Sequence, residues 1–272
     1  MNFVYNDNTL DNAMINRIIG NNKENVKDVR KNFGVVAIES KLYFVKTINK
    51  SAPATLITNP INDKEVDPTN KVLKYLAINN EQMPFFVNIH SLSQNNQYDY
   101  YIMDYIKYGD LKDMIPIINT KWKFTLLMQS LSSIFVLNHK IKLYHNDLYY
   151  IDVIRNVMID KVDKPHSVEV NLNNTIITLN VKKFCARMID FGRCSDKQAF
   201  RTTEYHNKYF SSVKYVSEPL IFTYFYFKTM GVDELDTLVK MANIVTKTAK
   251  SQIDFDAKFI LTIYNKYKKY IM

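Results

Sequence analysis

The sequence predicts an α+β fold, with strands gathered in the first part of the chain and helices filling the second. Residues 35–38 and 42–48 are β-branched and aromatic runs separated by Glu39, Ser40 and Lys41, the pattern of a short hairpin. From Thr120 onward the period lengthens. Leu127, Leu131, Ile134 and Phe135 fall at i, i+4, i+7 and i+8, the stripe of an amphipathic helix facing a core. A chain of 272 residues that is 47% hydrophobic can bury roughly three quarters of its unfolded surface, so no disulfide or metal is needed to hold it together.

The elements follow in order. A polar stretch, 21–32, precedes the hairpin, and residues 51–68 carry three prolines and read as loop. Asp67 and Pro68 then offer an N-cap and first-turn pair for a helix through Leu73 and Leu76. Residues 84–92 and 98–106 are apolar runs of strand length. After the helix of 120–136, strand character returns where 168–172 and 175–181 flank Asn173 and Asn174, a hairpin signal inserted into the helical half. In the last segment, 254–270, Phe255, Phe259, Ile263 and Tyr267 share one face with lysines between them. This predicts a closing core helix, with a membrane-surface helix as the alternative.

Composition removes several classes of function. No six-residue window holds two of the five glycines, which excludes a dinucleotide fingerprint and a Walker-type phosphate loop. The two cysteines, Cys185 and Cys194, have neither the number nor the spacing of a zinc site or disulfide framework, and they suit a reducing compartment. The first residues lack the basic and apolar segments of an export signal, and the longest apolar run, about 220–227, is too short for a bilayer. A cytoplasmic location is the expectation. The net charge of +9, from 36 basic and 27 acidic residues, favours acidic partners, yet the lysines are dispersed through polar segments as on a solvated surface.

Chemistry concentrates in residues 143–160, LYHNDLYYIDVIRNVMID, and 186–194, ARMIDFGRC. Asp147 and Asp190 each follow a short apolar run, and Asn156 lies between them at the head of an apolar strand. Phosphoryl transfer uses such a set: one carboxylate orients a hydroxyl and takes its proton, while a carboxylate and an amide oxygen are hard ligands for Mg²⁺. Gly192 permits a sharp turn beside them.

These residues resemble the eukaryotic-type protein kinase superfamily, whose catalytic loop reads H-R-D-L-x-x-x-N and whose metal loop reads D-F-G. His139 precedes His145 by six residues, as in the family's L-H-x-x-x-x-x-H-R-D. YYIMDYIKYGDLKDM is similar to the hinge, and FGVVAIESKLYFVKTI to the hairpin ending in V-A-I-K. Gly34, Gly109 and Gly192 fall at family positions, and the resemblance spans about 33–192. It implies a bilobal kinase-like fold. The N-lobe, with an N-terminal extension, would occupy 1–104; the C-lobe, 105–272, would hold the catalytic loop, an inserted hairpin near 165–181 used for partner contact or ornament, and the activation segment.

The resemblance also implies roles. Lys46 would pair with the α- and β-phosphates of ATP, Asp147 would be the catalytic base, and Asn156 and Asp190 would hold Mg²⁺. Met103 would be the gatekeeper, with backbone groups of Asp104 and Ile106 at the adenine edge and Val36 and Met158 sandwiching the ring.

Departures from the pattern mark what is particular to this chain. Two of the family's phosphate-loop glycines would fall at Val29 and Lys31, and Phe44 replaces the small residue above adenine. Asn146 replaces the arginine that reads a phosphorylated activation loop, and Tyr149 stands where a lysine is usual. The family's metal-binding Asn comes five residues after the catalytic Asp. Here that position is Asp152, so either Asn156 follows a four-residue insertion or Asp152 is the ligand. The acidic partner of Lys46 is Glu65 or Asp67. Glu218-Pro219 is a loose substitute for A-P-E, and the later D-x-W-x-x-G motif is not recognisable. Such erosion resembles the kinases of large DNA viruses, poxvirus-type among them, which would place the protein in host cytoplasm or virion.

Three functions follow. The first is an ATP- and Mg²⁺-dependent serine/threonine protein kinase acting on protein hydroxyls, with an acidic protein substrate and a regulatory protein partner. The second is a pseudokinase scaffold, which Phe44 and the lost glycines favour. The third is a small-molecule kinase, which the D-F-G and hinge disfavour. Nucleic-acid binding is disfavoured because no aromatic-basic stacking motif occurs.

Overall fold

The computed structural model describes residues 2–6, 31–38, 41–49, 66–79, 85–94, 96, 98–151 and 153–271. The chain is mixed α+β, a β-rich region followed by helices, and it divides into two compact units. The first comprises Met1–Ile78 and Val87–Ile106; the second comprises Asn79–Phe86 and Lys107–Met272.

The first unit is an antiparallel five-stranded sheet with one helix. Its strands are β1 (Asn2–Asn6), β2 (Lys31–Ile38), β3 (Lys41–Asn49), β4 (Ile89–Gln94) and β5 (Tyr98–Asp104), in the order β1-β4-β5-β3-β2. The aromatic and β-branched residues predicted for the hairpin form β2 and β3, paired from Lys31↔Ile48 to Ile38↔Lys41. Val45, Leu92, Tyr100, Tyr101 and Ile102 form the buried centre. Helix α1 (Val66–Asn79) buries Val72, Leu73 and Leu76. Asp67 lies within its first turn rather than capping it, because the helix already starts at Val66. The strand expected over 84–92 begins only at Ile89, since Phe85 and Phe86 belong to the second unit, where Phe86 bridges Met188.

The second unit opens with α2 (Leu111–Met114), capped by Asp110, and α3 (Thr120–Val136), capped by Asn119. The predicted stripe on α3 is buried, but so is nearly every other side of the helix. The serines make this possible: Ser130, Ser132 and Ser133 donate their hydroxyls to the carbonyls of Leu126, Met128 and Gln129, so polar residues enter the core already satisfied. The helix is therefore a core helix and not an amphipathic one. A π turn (Leu137–Ile141) follows, and Lys142 ends it at φ 64°.

Short strands come next: β6 (Tyr149–Tyr150), β7 (Val153–Ile154), β8 (Val157–Lys161), β9 (His166–Leu172), β10 (Thr175–Val181) and β11 (Phe184–Met188), paired as β6-β7, β8-β11 and β9-β10. Asn173 and Asn174 connect β9 to β10 with φ of 49° and 75°, the left-handed pair of a two-residue hairpin turn. One face of this hairpin is part of the core. Val168, Val170, Leu172, Ile177, Leu179 and Val181 are all buried, and it packs on α3 and the last helix.

Helices α4 (Phe200–Tyr209), α5 (Glu218–Thr229), α6 (Leu235–Thr248) and α7 (Gln252–Tyr267) complete the unit. Ser217 caps α5, Pro219 follows in its first turn, and the helix is buried from Glu218 to Phe227. On α7 the face of Phe255, Phe259, Ile263 and Tyr267 is buried, with Tyr267 stacked on Phe124 at 4.2 Å, so it closes a core rather than lying on a membrane. Among the described residues no helix is long and apolar enough to cross a membrane.

Candidate functional site

The turn at Lys142 delivers residues 143–148 into the second unit's interior, where they meet the start of β8 and the segment after β11. Asn156 donates its side-chain Nδ2 to Asp147 O at 2.8 Å and to Asp147 Oδ2 at 3.1 Å. Its backbone carbonyl accepts from Ile189 N at 3.0 Å, which fixes the residue preceding Asp190. His145 completes the circuit with Nε2 2.8 Å from Ile189 O. Burial, the largest influence, lowers the His145 pKa against the raising effect of that hydrogen bond and of Asp190 and Asp147. Because a carbonyl oxygen only accepts, Nε2 is the donor in this bond. The structure brings Asp147, Asn156 and the approach to Asp190 together; Asp152 lies outside the described residues.

The backbone here is held in uncommon conformations. Asn146, Ile151, Asn156 and Asp190 have φ of 62°, 46°, 59° and 57°. Left-handed backbone costs non-glycine residues about 1–2 kcal/mol each, and a β-branched residue such as Ile151 resists it most. Surrounding bonds must enforce it, as they do at many functional sites.

Two residues do much of that work. Glu218, fully buried at the start of α5, accepts Asn146 N at 3.0 Å and His145 N at 3.3 Å. With the Asn138 amide turned so that its nitrogen donates, Asn138 Nδ2 lies 3.1 Å from Glu218 Oε2 and 3.0 Å from Leu143 O. Burial pushes the Glu218 carboxyl up to about 7 despite these three donors, with the nearby Asp256 adding to the rise. Asn146 holds the other side: Nδ2 donates to Ser195 Oγ and Lys197 O, both at 3.0 Å, and Oδ1 accepts Ala199 N at 2.7 Å. This amide fixes the 195–199 segment with neutral bonds. The Glu218 side chain thus supports the 145–146 backbone. Ser217-Glu218-Pro219 before the longest apolar run is a helix-start signal that could have drawn attention to it.

Three arginines converge on Asp147, and sequence reasoning passed over all of them. Arg193 donates to Asp147 Oδ1 at 3.1 Å, while Arg155 and Arg201 have guanidinium nitrogens 3.5 and 3.9 Å from the same oxygen. Tyr149, where a lysine was the expected type, is buried and donates its hydroxyl to Thr202 at 2.9 Å; burial raises its pKa well above normal. It is a core contact rather than a site group. Met158, on β8, is half-buried and pairs with Arg187 of β11.

The remaining expected residues lie in the first unit. Lys46 is buried on β3 with its Nζ 5.9 Å from the Tyr101 ring centre, and Val36 is buried on β2. Phe44 and Met103 are cross-strand partners. The Asp104 N–H is committed to Asn88 O at 2.9 Å, and its carboxylate pairs with His90 at 2.7 Å and Lys41 at 3.1 Å. Burial would raise that carboxyl, but the His90 and Lys41 interactions together hold it below its ordinary value. Ile106 is buried. Asp67 is exposed, and Glu65, Val29 and the preceding loop lie outside the described residues.

Among the described residues no group of three or more His, Cys, Asp or Glu could hold a metal. The expected pair is narrower, one carboxylate and one amide, which suits a cation that keeps most of its water and takes further oxygens from phosphate. With Nδ2 of Asn156 committed to Asp147, the amide's oxygen is the function left for a cation. No model of a known protein family matches the chain, and a search of curated proteins gives no match either.

Proposed function

We propose that the protein is an ATP-dependent serine/threonine protein kinase with a two-lobed kinase-like fold. The observation that carries this reading is the hydrogen-bonded circuit of Asp147, Asn156, Ile189 and His145, which holds one carboxylate, one amide oxygen and the base of Asp190 in fixed relation. Asp147 would orient the acceptor hydroxyl. The bond between the γ-phosphorus and the oxygen bridging it to ADP breaks, a bond from the acceptor oxygen forms, and the hydroxyl proton passes to Asp147. Asn156 and Asp190 would hold Mg²⁺, which when bound offsets the phosphate charge. Lys46 is the cation assigned to the α- and β-phosphates.

A scaffold without transfer activity is the second reading. It is favoured by the Arg193 hydrogen bond, which occupies one oxygen of the Asp147 carboxylate while Asn156 occupies the other. ATP titrations with and without Mg²⁺, and transfer of labelled phosphate to an acidic protein, separate the two. Asp147→Asn should abolish transfer and spare ATP affinity, while Asp190→Asn should weaken Mg²⁺-dependent binding. Asn156→Ala should be severe and Asp152→Ala mild. Transfer at the wild-type rate by Asp147→Asn would overturn the kinase reading, and ATP binding without transfer in the wild type would establish the scaffold.

A further inference from the structure

Beside Asp147 the second unit has a cleft of about 480 Å³ lined by Asp110, Lys112, Tyr150, Ile151, Val153 and Arg155. Two guanidinium groups are braced on one aromatic ring at this place: Arg201 lies 4.5 Å and Arg155 5.9 Å from the Tyr150 ring centre. Two like charges gathered on one ring repel each other, and an anion shared between them offsets that repulsion. Among the described residues the carboxylate these arginines face is that of Asp147, and it is heavily used. Asp147 Oδ1 already takes the Arg193 hydrogen bond and Oδ2 takes the Asn156 amide, leaving the Arg155 and Arg201 side chains at 3.5 and 3.9 Å with no side-chain hydrogen bond to any described residue. Asp147 is 4% exposed, whereas the Arg155 and Arg201 side chains are 38% and 32% exposed. Three guanidinium charges against one carboxylate leave an excess of two. Lys112 adds little, being paired with Asp110 at 3.6 Å.

We infer that Arg155 and Arg201, held on Tyr150, form a recognition site for an acidic side chain of a peptide bound along this cleft. This rests on the kinase reading for its purpose and identifies the substrate class: a protein segment with a carboxylate or a phosphorylated hydroxyl close to the acceptor residue. A planar guanidinium presents paired N–H donors that match the two oxygens of either anion, and a phosphate satisfies two guanidinium groups at once. A peptide is favoured over nucleic acid because the charge is confined to one cleft. The lining of Tyr150, Ile151 and Val153 also offers apolar contact for neighbouring side chains, where a nucleic-acid backbone would need an extended basic track.

The test is fluorescence anisotropy with the full chain, without ATP or Mg²⁺, using three labelled peptides that differ at two positions flanking a serine: Gln, Glu or phosphoserine. The Glu peptide should bind at least tenfold more tightly than the Gln peptide, and the phosphoserine peptide more tightly still. Arg155→Gln combined with Arg201→Gln should bring all three to the Gln level, while Lys112→Gln should leave the order unchanged. Arg155→Lys with Arg201→Lys keeps the charge and loses the fork, so it should retain part of the difference. Equal affinities in the wild type, or discrimination that survives loss of both arginines in a folded variant, would overturn the proposal. So would a single-stranded oligonucleotide that outcompetes the phosphoserine peptide at 150 mM salt. Because no nucleotide is present, discrimination among peptides in a protein that never binds Mg²⁺–ATP would sink the kinase reading alone.

Discussion

Replacing Glu218 by Gln isolates a strongly perturbed carboxyl beneath the site. Its folded pKa of about 7 stands against an ordinary value of 4.5. Between those values the folded protein keeps a proton that the unfolded chain has lost, so unfolding releases a proton and stability falls as pH rises. The stabilisation is complete below about pH 4.5 and gone above about 7. At 1.36 kcal/mol per unit, the full interval corresponds to about 3 kcal/mol, and the part between pH 5 and 8 to roughly 2–3 kcal/mol. The Gln variant cannot titrate, so that slope disappears. Its amide nitrogen leaves one of the two backbone donors without an acceptor, a pH-independent cost of about 1–3 kcal/mol. Trp122, the chain's single tryptophan, is buried on α3 and reports on the second unit alone. Urea unfolding followed by its fluorescence at pH 5, 6, 7 and 8 should show the wild-type midpoint moving toward that of the variant by about 1 M, for a slope of roughly 2 kcal/mol per M. Because every other group is common to both proteins, the difference between the curves belongs to Glu218. Midpoints that run parallel across the pH range would refute the assignment.

Three further outcomes are expected. Asn146→Ala and Asn146→Gly should both raise hydrogen exchange at the Ala199 amide by about 10–100-fold, since each removes the acceptor and only the alanine adds backbone strain; a protected Ala199 in the glycine variant would show that the amide is no staple. Leu179→Ala, in the buried face of the β9-β10 hairpin, should cost the second unit about 2–5 kcal/mol by the Trp122 signal, and an unchanged midpoint would mean that the hairpin is not part of the core. Burial pushes the Cys185 thiol up to about 11, so at pH 8 it should resist a thiol reagent until the protein unfolds; labelling at the rate of a free thiol in the native state would contradict its burial.

Signals that act within a few residues were legible in the sequence, and those that depend on distant partners were not. The β2-β3 run, the left-handed Asn173-Asn174 pair and the apolar face of α7 each declare themselves within a short stretch of chain, because side-chain period and turn chemistry are local properties. Strand β1 was invisible: Asn2–Asn6 has no strong alternation and gains its identity by pairing with β4 some ninety positions away. Helix α3 misled for a different reason. Its serines mimic a solvated face, and only their bonds to carbonyls four residues back reconcile them with a core.

The same division runs through the candidate site. Asp147, Asn156 and Asp190 stand beside short apolar runs whose spacing suggests their use, but the groups that hold them come from elsewhere. Glu218 follows His145 by 73 positions, and the arginines facing Asp147 sit at 155, 193 and 201, three places with nothing in common until the chain folds. This has a chemical consequence. Residues that take part in the chemistry can be constrained by local geometry, whereas the charge around them is set by tertiary placement and can change without disturbing a motif. A neutral Asn146 and a trio of arginines therefore alter what Asp147 can meet while leaving the expected pattern of Asp, Asn and Asp in place. Substitutions at 155 and 201 should change which peptides bind long before they change the fold, because both side chains are partly exposed and neither donates a hydrogen bond within the described structure.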